Sequence, residues 1–150
     1  MKSDIPVSLF EREVLIRFSH CDPGGIVFYP QYFILMNGLV EDWFTEGLNV
    51  NFADFVRNRR IGIPTVRMDC TFCRPSYIGD RLTLGLSVTK VGNSSFHLEV
   101  KGASNGELRL RAEQALVTIC LDKMKSIELP SDLREGFSRF SLALVSHSGQ

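Results

Sequence analysis

The stretch HCDPGGIVFYPQYF, residues 20–33, decides how this chain folds. Pro23, Gly24 and Gly25 supply a fixed φ and positive φ values, so we expect the backbone to turn sharply here. Pro30 suits the first position of a helix, where its missing amide hydrogen is not needed. The stretch therefore predicts a loop of special geometry that leads into a helix.

The residues on both sides extend this pattern. After Pro30, apolar residues recur at helical spacing in a stripe too broad for a surface helix, which predicts a buried helix over residues 30–46. Gly47 suits the left-handed residue that ends such a helix. Before the loop, Val14, Ile16 and Phe18 alternate with polar residues, which predicts a strand over residues 11–18.

Most of the remaining chain has the period of two that is typical of antiparallel strands. Strands are expected over residues 66–73, 82–88, 96–100 and 108–121, with turns at Gly92-Asn93 and Asn105-Gly106. Between Glu113 and Ala115 the apolar phase slips by one residue, which predicts a bulge.

Two further helices complete the predicted fold. One covers residues 52–59, and the other begins with Ser131 as its cap and runs to Leu144, before a polar tail from His147 to Gln150. The order of a strand, a long buried helix and a run of antiparallel strands indicates the α+β class. No linker or repeat divides the chain, so we expect a single domain over residues 1–150.

Charge and composition exclude several classes of protein. Seventeen basic residues balance seventeen acidic ones, so the chain lacks the positive field that gathers nucleic acid. No apolar run is long enough for a membrane span, and no secretion signal opens the chain. The four cysteines, Cys21, Cys70, Cys73 and Cys120, are therefore expected to be reduced thiols in the cytoplasm.

Asp22 is the main candidate for chemistry. It stands eight residues before Pro30, so its carboxylate can lie across a cleft from the helix start, where free amides carry partial positive charge. Such amides suit a carbonyl oxygen that gains negative charge during attack, while the carboxylate attacks the carbonyl carbon or deprotonates water. The alternative is a structural one, in which Asp22 organises the glycine loop through an Asx turn.

Other candidate residues have weaker contexts. Cys21 lies between His20 and Asp22 and is an alternative nucleophile, but no other histidine has a recognisable context beside it. His20 is either a loop residue bonded to the backbone or an assistant to the site. Cys70 and Cys73 have the spacing of a metal-binding pair, but three residues apart on a strand they point to opposite faces. No metal site is predicted.

The stretch from His20 to Phe33 closely resembles the signature of the 4-hydroxybenzoyl-CoA thioesterase family of hotdog enzymes. Residues 63–64, 110–113 and 127–130 add further similarity, and the order of elements agrees from about residue 12 to 135. The resemblance implies an antiparallel sheet wrapped around a long central helix, and hydrolysis of an acyl-CoA with an aromatic or a short to medium aliphatic acyl group.

The resemblance also implies roles for particular residues of the site. Asp22 becomes the catalytic carboxylate, and the backbone amide of Tyr29 polarises the thioester carbonyl. No cofactor is implied, and the subunits pair into a homodimer or homotetramer. His20, Phe28, Asn37 and Trp43 are the candidate substrate-binding residues. Some relatives that are specific for the hydroxybenzoyl group carry an acid at the position of Asn37.

Two other classes of function remain open. A hotdog dehydratase or isomerase needs a histidine base beside a helix carboxylate, and Glu41 and Asp42 on the predicted helix have no such histidine. A protein that binds or assembles around acyl thioesters without turnover is the second alternative, and the presence of Asp22 argues against it.

Overall fold

A long helix lies against an antiparallel sheet in the computed structural model, which describes residues 8–141. The sheet has five strands, which are in chain order β1 (Phe10–Leu15), β3 (Thr65–Phe72), β4 (Arg81–Val91), β5 (Ser95–Ser104) and β6 (Glu107–Val117). Their spatial order is β1, β4, β5, β6, β3. Three short strands, β2 (Ile61–Gly62), β7 (Ile119–Cys120) and β8 (Lys125–Ser126), form a second sheet. The predicted α+β class is confirmed.

Alternate residues of the strands form the core. Leu82, Leu84, Leu86 and Val88 of β4 are fully buried, and burial of each such side chain stabilises the fold by about 1.5–3 kcal/mol. The hairpin between β5 and β6 turns at Asn105-Gly106, where both residues have positive φ, as predicted. The turn that joins β4 to β5 begins at Gly92, whose amide donates to the Ser95 carbonyl.

The central helix α1 covers Pro30–Asp42 and continues as a π-helical turn over Trp43–Gly47. The buried helix is confirmed, but its end differs from the prediction. The left-handed residue is Asn49, with φ of 59°, rather than Gly47. Glycine stands at position 47 for a different reason, since a Cβ there would lie 2.8 Å from the ring of the fully buried Trp43.

Two shorter helices flank α1. Helix α2 covers Phe52–Arg57 and is capped by Asn51, whose side chain accepts from the Asp54 amide. Helix α3 covers Ser131–Phe137, followed by a 3-10 turn over Ser138–Phe140. The predicted cap Ser131 is wrong, because the capping position is Pro130. Leu144 and the predicted tail lie outside the described residues. No helix within residues 8–141 is long and apolar enough to cross a membrane.

Two predictions about strands are wrong. The first strand ends at Leu15, and Phe18 lies in a 3-10 turn with 79% of its surface exposed, so the alternation does not continue to it. The pairing of β6 is continuous from Glu113 to Ala115, so no bulge lies there. The alternation of apolar residues along β6 is interrupted because Gln114 takes an inward position where an apolar residue is expected. It lies opposite the buried Leu98.

Candidate active site

The loop between β1 and α1 is a small closed turn. Cys21 and Val27 pair across it, and the Asp22 amide donates to the Ile26 carbonyl at 3.0 Å. The Gly25 amide donates back to the Asp22 carbonyl at 2.9 Å, and Gly25 has φ of 80°, a value that glycine adopts without strain. Asp22 therefore stands in a fixed position at the first corner of the turn.

The two oxygens of the Asp22 carboxylate have different surroundings. Oδ1 accepts from the Gly24 amide at 2.9 Å, which is the Asx turn of the structural interpretation. Oδ2 has no hydrogen-bond partner among the described residues. The side chain is half-buried, so one oxygen organises the loop and the other is available to a ligand.

The start of α1 leaves one backbone amide without an acceptor. The Gln31 amide donates to the Phe28 carbonyl at 2.8 Å, and the Tyr32 amide donates to the Tyr29 carbonyl at 3.1 Å. Within residues 8–141, nothing accepts from the amide of Tyr29, and no side chain caps the helix. This amide can therefore donate to a ligand that enters beside the loop.

His20 and Cys21 support the loop. The Nδ1 atom of His20 accepts from the Arg17 amide at 2.9 Å, and the backbone carbonyl of His20 accepts from the Phe28 amide. Cys21 donates its thiol to the Arg17 carbonyl at 3.4 Å. Burial, and to a smaller extent the Asp22 carboxylate, raise the pKa of the Cys21 thiol. Because a thiolate is disfavoured here, Cys21 is a poor nucleophile.

An aromatic cleft of about 260 Å³ opens at the amino end of α1. The ring of Tyr29 lies 5.6 Å from that of Phe28 and 6.0 Å from that of Phe72, and Tyr32 stacks on Phe72 at 5.7 Å. Phe28 and Tyr29 are about half exposed. Sequence reasoning missed Phe72, because the alternation of β3 gives no sign that this residue borders a cleft.

A second cavity of about 310 Å³ lies beside the middle of α1. The residues around it come from α1, α2, β6, the start of β3 and the segment before β3: Asn37, Val40, Glu41, Phe52, Ile63, Thr65, Gln114 and Leu116. Both cavities border α1 and β3, the first beside Phe72 at the end of the strand and the second beside Thr65 at its start. We call the surface between α1 and β3 that holds the two cavities the α1–β3 groove.

The predicted binding residues divide into two groups. Phe28 and Asn37 lie on or near the α1–β3 groove, and His20 holds the loop beside it. Trp43 is fully buried and stacks on Phe137 with ring centroids 5.3 Å apart. It borders neither part of the groove. The structure therefore places Trp43 in the core, where it joins α1 to α3.

Among residues 8–141, neither a cluster of metal-ligating side chains nor a histidine facing the carboxylates of α1 is present. Within the described part of the chain, no three His, Cys, Asp or Glu side chains lie close enough to hold a metal ion. Cys70 is half-buried on β3, and Cys73 is exposed beyond its end. His97 lies on β5 opposite Ala115, on the sheet face turned away from α1.

Comparison with known proteins identifies the family. A family model described as the thioesterase-like superfamily matches residues 16–137. The chain belongs to this superfamily. It is a thioester hydrolase of the hotdog fold, an acyl-CoA thioesterase, as the loop motif indicated.

Two curated relatives cover most of the chain. A 4-hydroxybenzoyl-CoA thioesterase from Pseudomonas sp. (strain CBS-3) is 30% identical over 129 residues, 80% of this chain and 91% of the relative. A 1,4-dihydroxy-2-naphthoyl-CoA hydrolase from Acaryochloris marina is 26% identical over 133 residues, 86% and 96% of the two chains.

Solved structures agree on the fold. A gentisyl-coenzyme A thioesterase superposes with a TM-score of 0.78 at 25% identity, covering 85% of this chain and 98% of the other. A 1,4-dihydroxy-2-naphthoyl-CoA thioesterase from Synechocystis has the same TM-score at 22% identity, with 85% and 94% coverage.

Proposed function

We propose that this thioesterase hydrolyses an aromatic acyl-CoA at the mouth of the α1–β3 groove, with Asp22 as the reacting carboxylate. One observation carries the proposal. One short loop has at its two ends a carboxylate oxygen of Asp22 without a hydrogen-bond donor and the backbone amide of Tyr29 without an acceptor. The amide stabilises the oxyanion that forms when the carbonyl is attacked.

Two routes use the same atoms. In the nucleophilic route, Oδ2 of Asp22 bonds to the thioester carbon and CoA leaves as the thiolate. Water then cleaves the acyl anhydride and restores the carboxylate. In the general-base route, Asp22 takes a proton from a water molecule that attacks the same carbon, the bond from that carbon to sulfur breaks, and Asp22 passes the proton to the departing thiolate. Both routes yield the free acid and CoA without a cofactor.

The acyl group is proposed to be aromatic, with short to medium aliphatic groups as weaker substrates. Rings of Tyr29, Tyr32 and Phe72 border the cleft at the amino end of α1, and aromatic pairs favour the offset and edge contacts that an aryl group makes. The relatives act on 4-hydroxybenzoyl and 1,4-dihydroxy-2-naphthoyl thioesters, which are aromatic as well.

We further propose a homodimer or homotetramer in the cytoplasm, with one catalytic domain in each chain. Strand β3 lies at the end of the sheet and pairs only with β6 within residues 8–141. Free strand edges of this kind favour pairing with another chain. The four cysteines are all free thiols, which suits a reducing compartment.

The alternatives have less support. A dehydratase or isomerase needs an imidazole beside the carboxylates of α1, but His97 lies on the opposite sheet face and His20 uses Nδ1 to accept from the backbone. A protein that binds thioesters without turnover needs neither a carboxylate oxygen without a donor, as on Asp22, nor a backbone amide without an acceptor, as at Tyr29.

Substitution of Asp22 by asparagine tests the mechanism. Asp22→Asn keeps the oxygen that accepts from the Gly24 amide but removes the ionised group, so folding and assembly should persist. Turnover of the best substrate in an acyl-CoA panel should fall by at least about 10²-fold. Cys21→Ser is the control and should retain activity, because the aspartate mechanism does not use the thiol.

The measurement is kcat, with melting curves and light scattering to check folding and assembly. Turnover of Asp22→Asn within about threefold of wild type, a barrier change under about 1 kcal/mol, would make Asp22 a structural loop residue and overturn the mechanism.

A further inference from the structure

Ser76 is a fully buried polar residue in the segment between β3 and β4. Its backbone carbonyl accepts from the amide of Val27, on the Asp22 loop, at 2.9 Å. Its Oγ atom lies 3.4 Å from Nη1 of Arg109, which also donates to the Asp80 carboxylate. A buried hydroxyl costs free energy unless it is hydrogen-bonded, so these contacts fix the position of Ser76.

The phenol of Tyr32 meets Ser76 from the first turn of α1. Tyr32 is 4% exposed, and both the hydroxyl and the backbone amide of Ser76 hydrogen-bond to its phenolic oxygen. Burial raises the pKa of Tyr32 more than these hydrogen bonds and the nearby Arg109 cation lower it, so the phenol is neutral at neutral pH. A neutral phenol both donates and accepts, so it shares a hydrogen bond with the Ser76 hydroxyl.

Ser76 thus connects the two parts of the chain that carry the proposed reacting groups. Asp22 lies on the loop that the Ser76 carbonyl holds through Val27. The Tyr29 carbonyl accepts from the amide of Tyr32 at 3.1 Å, so the position of Tyr32 also sets that of Tyr29. A thioester carbon must lie between the carboxylate and the amide, and misplacement by about 1 Å can lower the rate by about 10²-fold.

We infer that Ser76 is a positioning residue for thioester hydrolysis, which holds the Asp22 loop with its carbonyl and the first turn of α1 with its hydroxyl. The two contacts set the orientation of the Asp22 carboxylate relative to the Tyr29 amide. Ser76 is fully buried and does not border the cleft, so it acts through these residues and not on the substrate. The inference rests on the proposed roles of Asp22 and Tyr29 and adds a third residue on which both depend.

Removal of the Ser76 hydroxyl tests this inference with the best substrate of the acyl-CoA panel. Ser76→Ala keeps the carbonyl that accepts from Val27 and loses the contact with Tyr32. We expect kcat to fall by at least about 10-fold while KM stays within about twofold, because a misplaced reacting group slows the chemical step. Tyr32→Phe removes the other end of the same contact and should give the same result. It also decides the test if Ser76→Ala does not fold.

The double variant Ser76→Ala/Tyr32→Phe tests whether the two hydroxyls act through one contact. Both substitutions remove that contact, so kcat of the double variant should lie within about twofold of the slower single variant. Independent effects would multiply to at least about 10²-fold. A merely structural role lowers the melting temperature without this coupling in kcat.

The matched control is Ser87→Ala on β4. Ser87 is 2% exposed, and its Oγ accepts from the Leu9 amide at 3.1 Å. The substitution therefore removes a buried serine hydroxyl that contacts neither the Asp22 loop nor α1. It should lower the melting temperature and leave kcat unchanged.

The results distinguish the role of Ser76 from the proposed function. Folded Ser76→Ala and Tyr32→Phe enzymes with wild-type kcat, or a rise in KM alone, would overturn the role of Ser76 and leave acyl-CoA hydrolysis standing. Multiplied losses in the double variant, or an equal loss of kcat in Ser87→Ala, would have the same meaning. Wild-type turnover in Asp22→Asn would overturn the proposed mechanism, and the inference with it.

Discussion

At the scale of single residues, the amide of Tyr29 allows a test that separates backbone from side chain. Tyr29 has φ of −52°, a value that proline also adopts, so Tyr29→Pro removes the N–H without requiring a new φ. Loss of one donor to an oxyanion typically lowers kcat by about 10²–10³-fold, which is the expected result.

The matched control is Tyr29→Ala, which removes the ring and keeps the amide. We expect this variant to change KM more than kcat, because the ring borders the cleft. Proline also restricts the residue before it, so melting curves must show that both variants fold. If the folded proline variant has the same kcat as the alanine variant, the Tyr29 amide does not take part in the reaction.

At the scale of elements, a bulge in β6 connects the sheet to the loop that holds Asp22. The register between β5 and β6 shifts after Gly102, so Arg109 has no direct partner on β5 and turns toward the segment between β3 and β4. The Arg109 side chain is 93% buried and donates to the Pro75 carbonyl at 3.1 Å and to Asp80 Oδ2 at 2.7 Å.

That segment holds the Asp22 loop by two backbone hydrogen bonds. The Val27 amide donates to the Ser76 carbonyl at 2.9 Å, and the Ile78 amide donates to the Gly25 carbonyl at 3.0 Å. Ser76 is itself fully buried. Arg109 therefore supports the Asp22 loop through the segment between β3 and β4.

Removal of Arg109 should destabilise the protein. Arg109→Met leaves Asp80 partly buried without its cation, and loss of one partner of such a pair costs about 3 kcal/mol. Arg81→Met is the control, because Arg81 and Glu13 are both exposed and such pairs contribute about 0–1 kcal/mol. Urea unfolding measures both values, and equal losses in the two variants would contradict the expectation.

The same ion pair predicts a dependence on pH. The Tyr77 amide and Arg109 lower the pKa of the Asp80 carboxyl below its usual value. A lowered pKa stabilises the folded state above the usual carboxyl pKa of about 4, and this contribution is lost as the pH falls through the folded-state value. The excess stability of wild type over Arg109→Met should therefore shrink as the pH falls below about 4.

At the scale of the whole molecule, the edge of β3 is the surface most suited to a second copy of the chain. Val66 is 63% exposed and Phe72 is 45% exposed on this strand, and Ile34 of the facing helix is 60% exposed. The other edge strand, β1, carries three consecutive charged residues, Glu11, Arg12 and Glu13. Charged side chains on an edge strand oppose its pairing with another chain.

We expect light scattering at micromolar concentration to give at least twice the chain mass of 16.9 kDa. Val66→Glu should shift the protein toward monomer, because a charge at an apolar interface loses its hydration. Val91→Glu, at the end of β4, is the control and should not change the mass. A wild-type mass of one chain would exclude assembly through β3.

The sequence by itself determined the features that depend on near neighbours. The turn at residues 20–25, the start of α1 at Pro30 and the alternation of β4 and β5 follow from local φ preferences and from periods of 3.6 and 2. The motif around Asp22 also indicated the family, because the motif is one continuous segment of the chain.

Only the tertiary structure decided which residues from distant parts of the chain contact each other. Gln114 and Thr65 are 49 residues apart, and Arg109 and Asp80 are 29 apart, so no local pattern links them. Trp43 has the same spacing along α1 as other apolar residues, yet it packs into the core on Phe137 of α3. Periodicity specifies which side of an element is apolar, whereas the partner of each side chain depends on how distant elements pack.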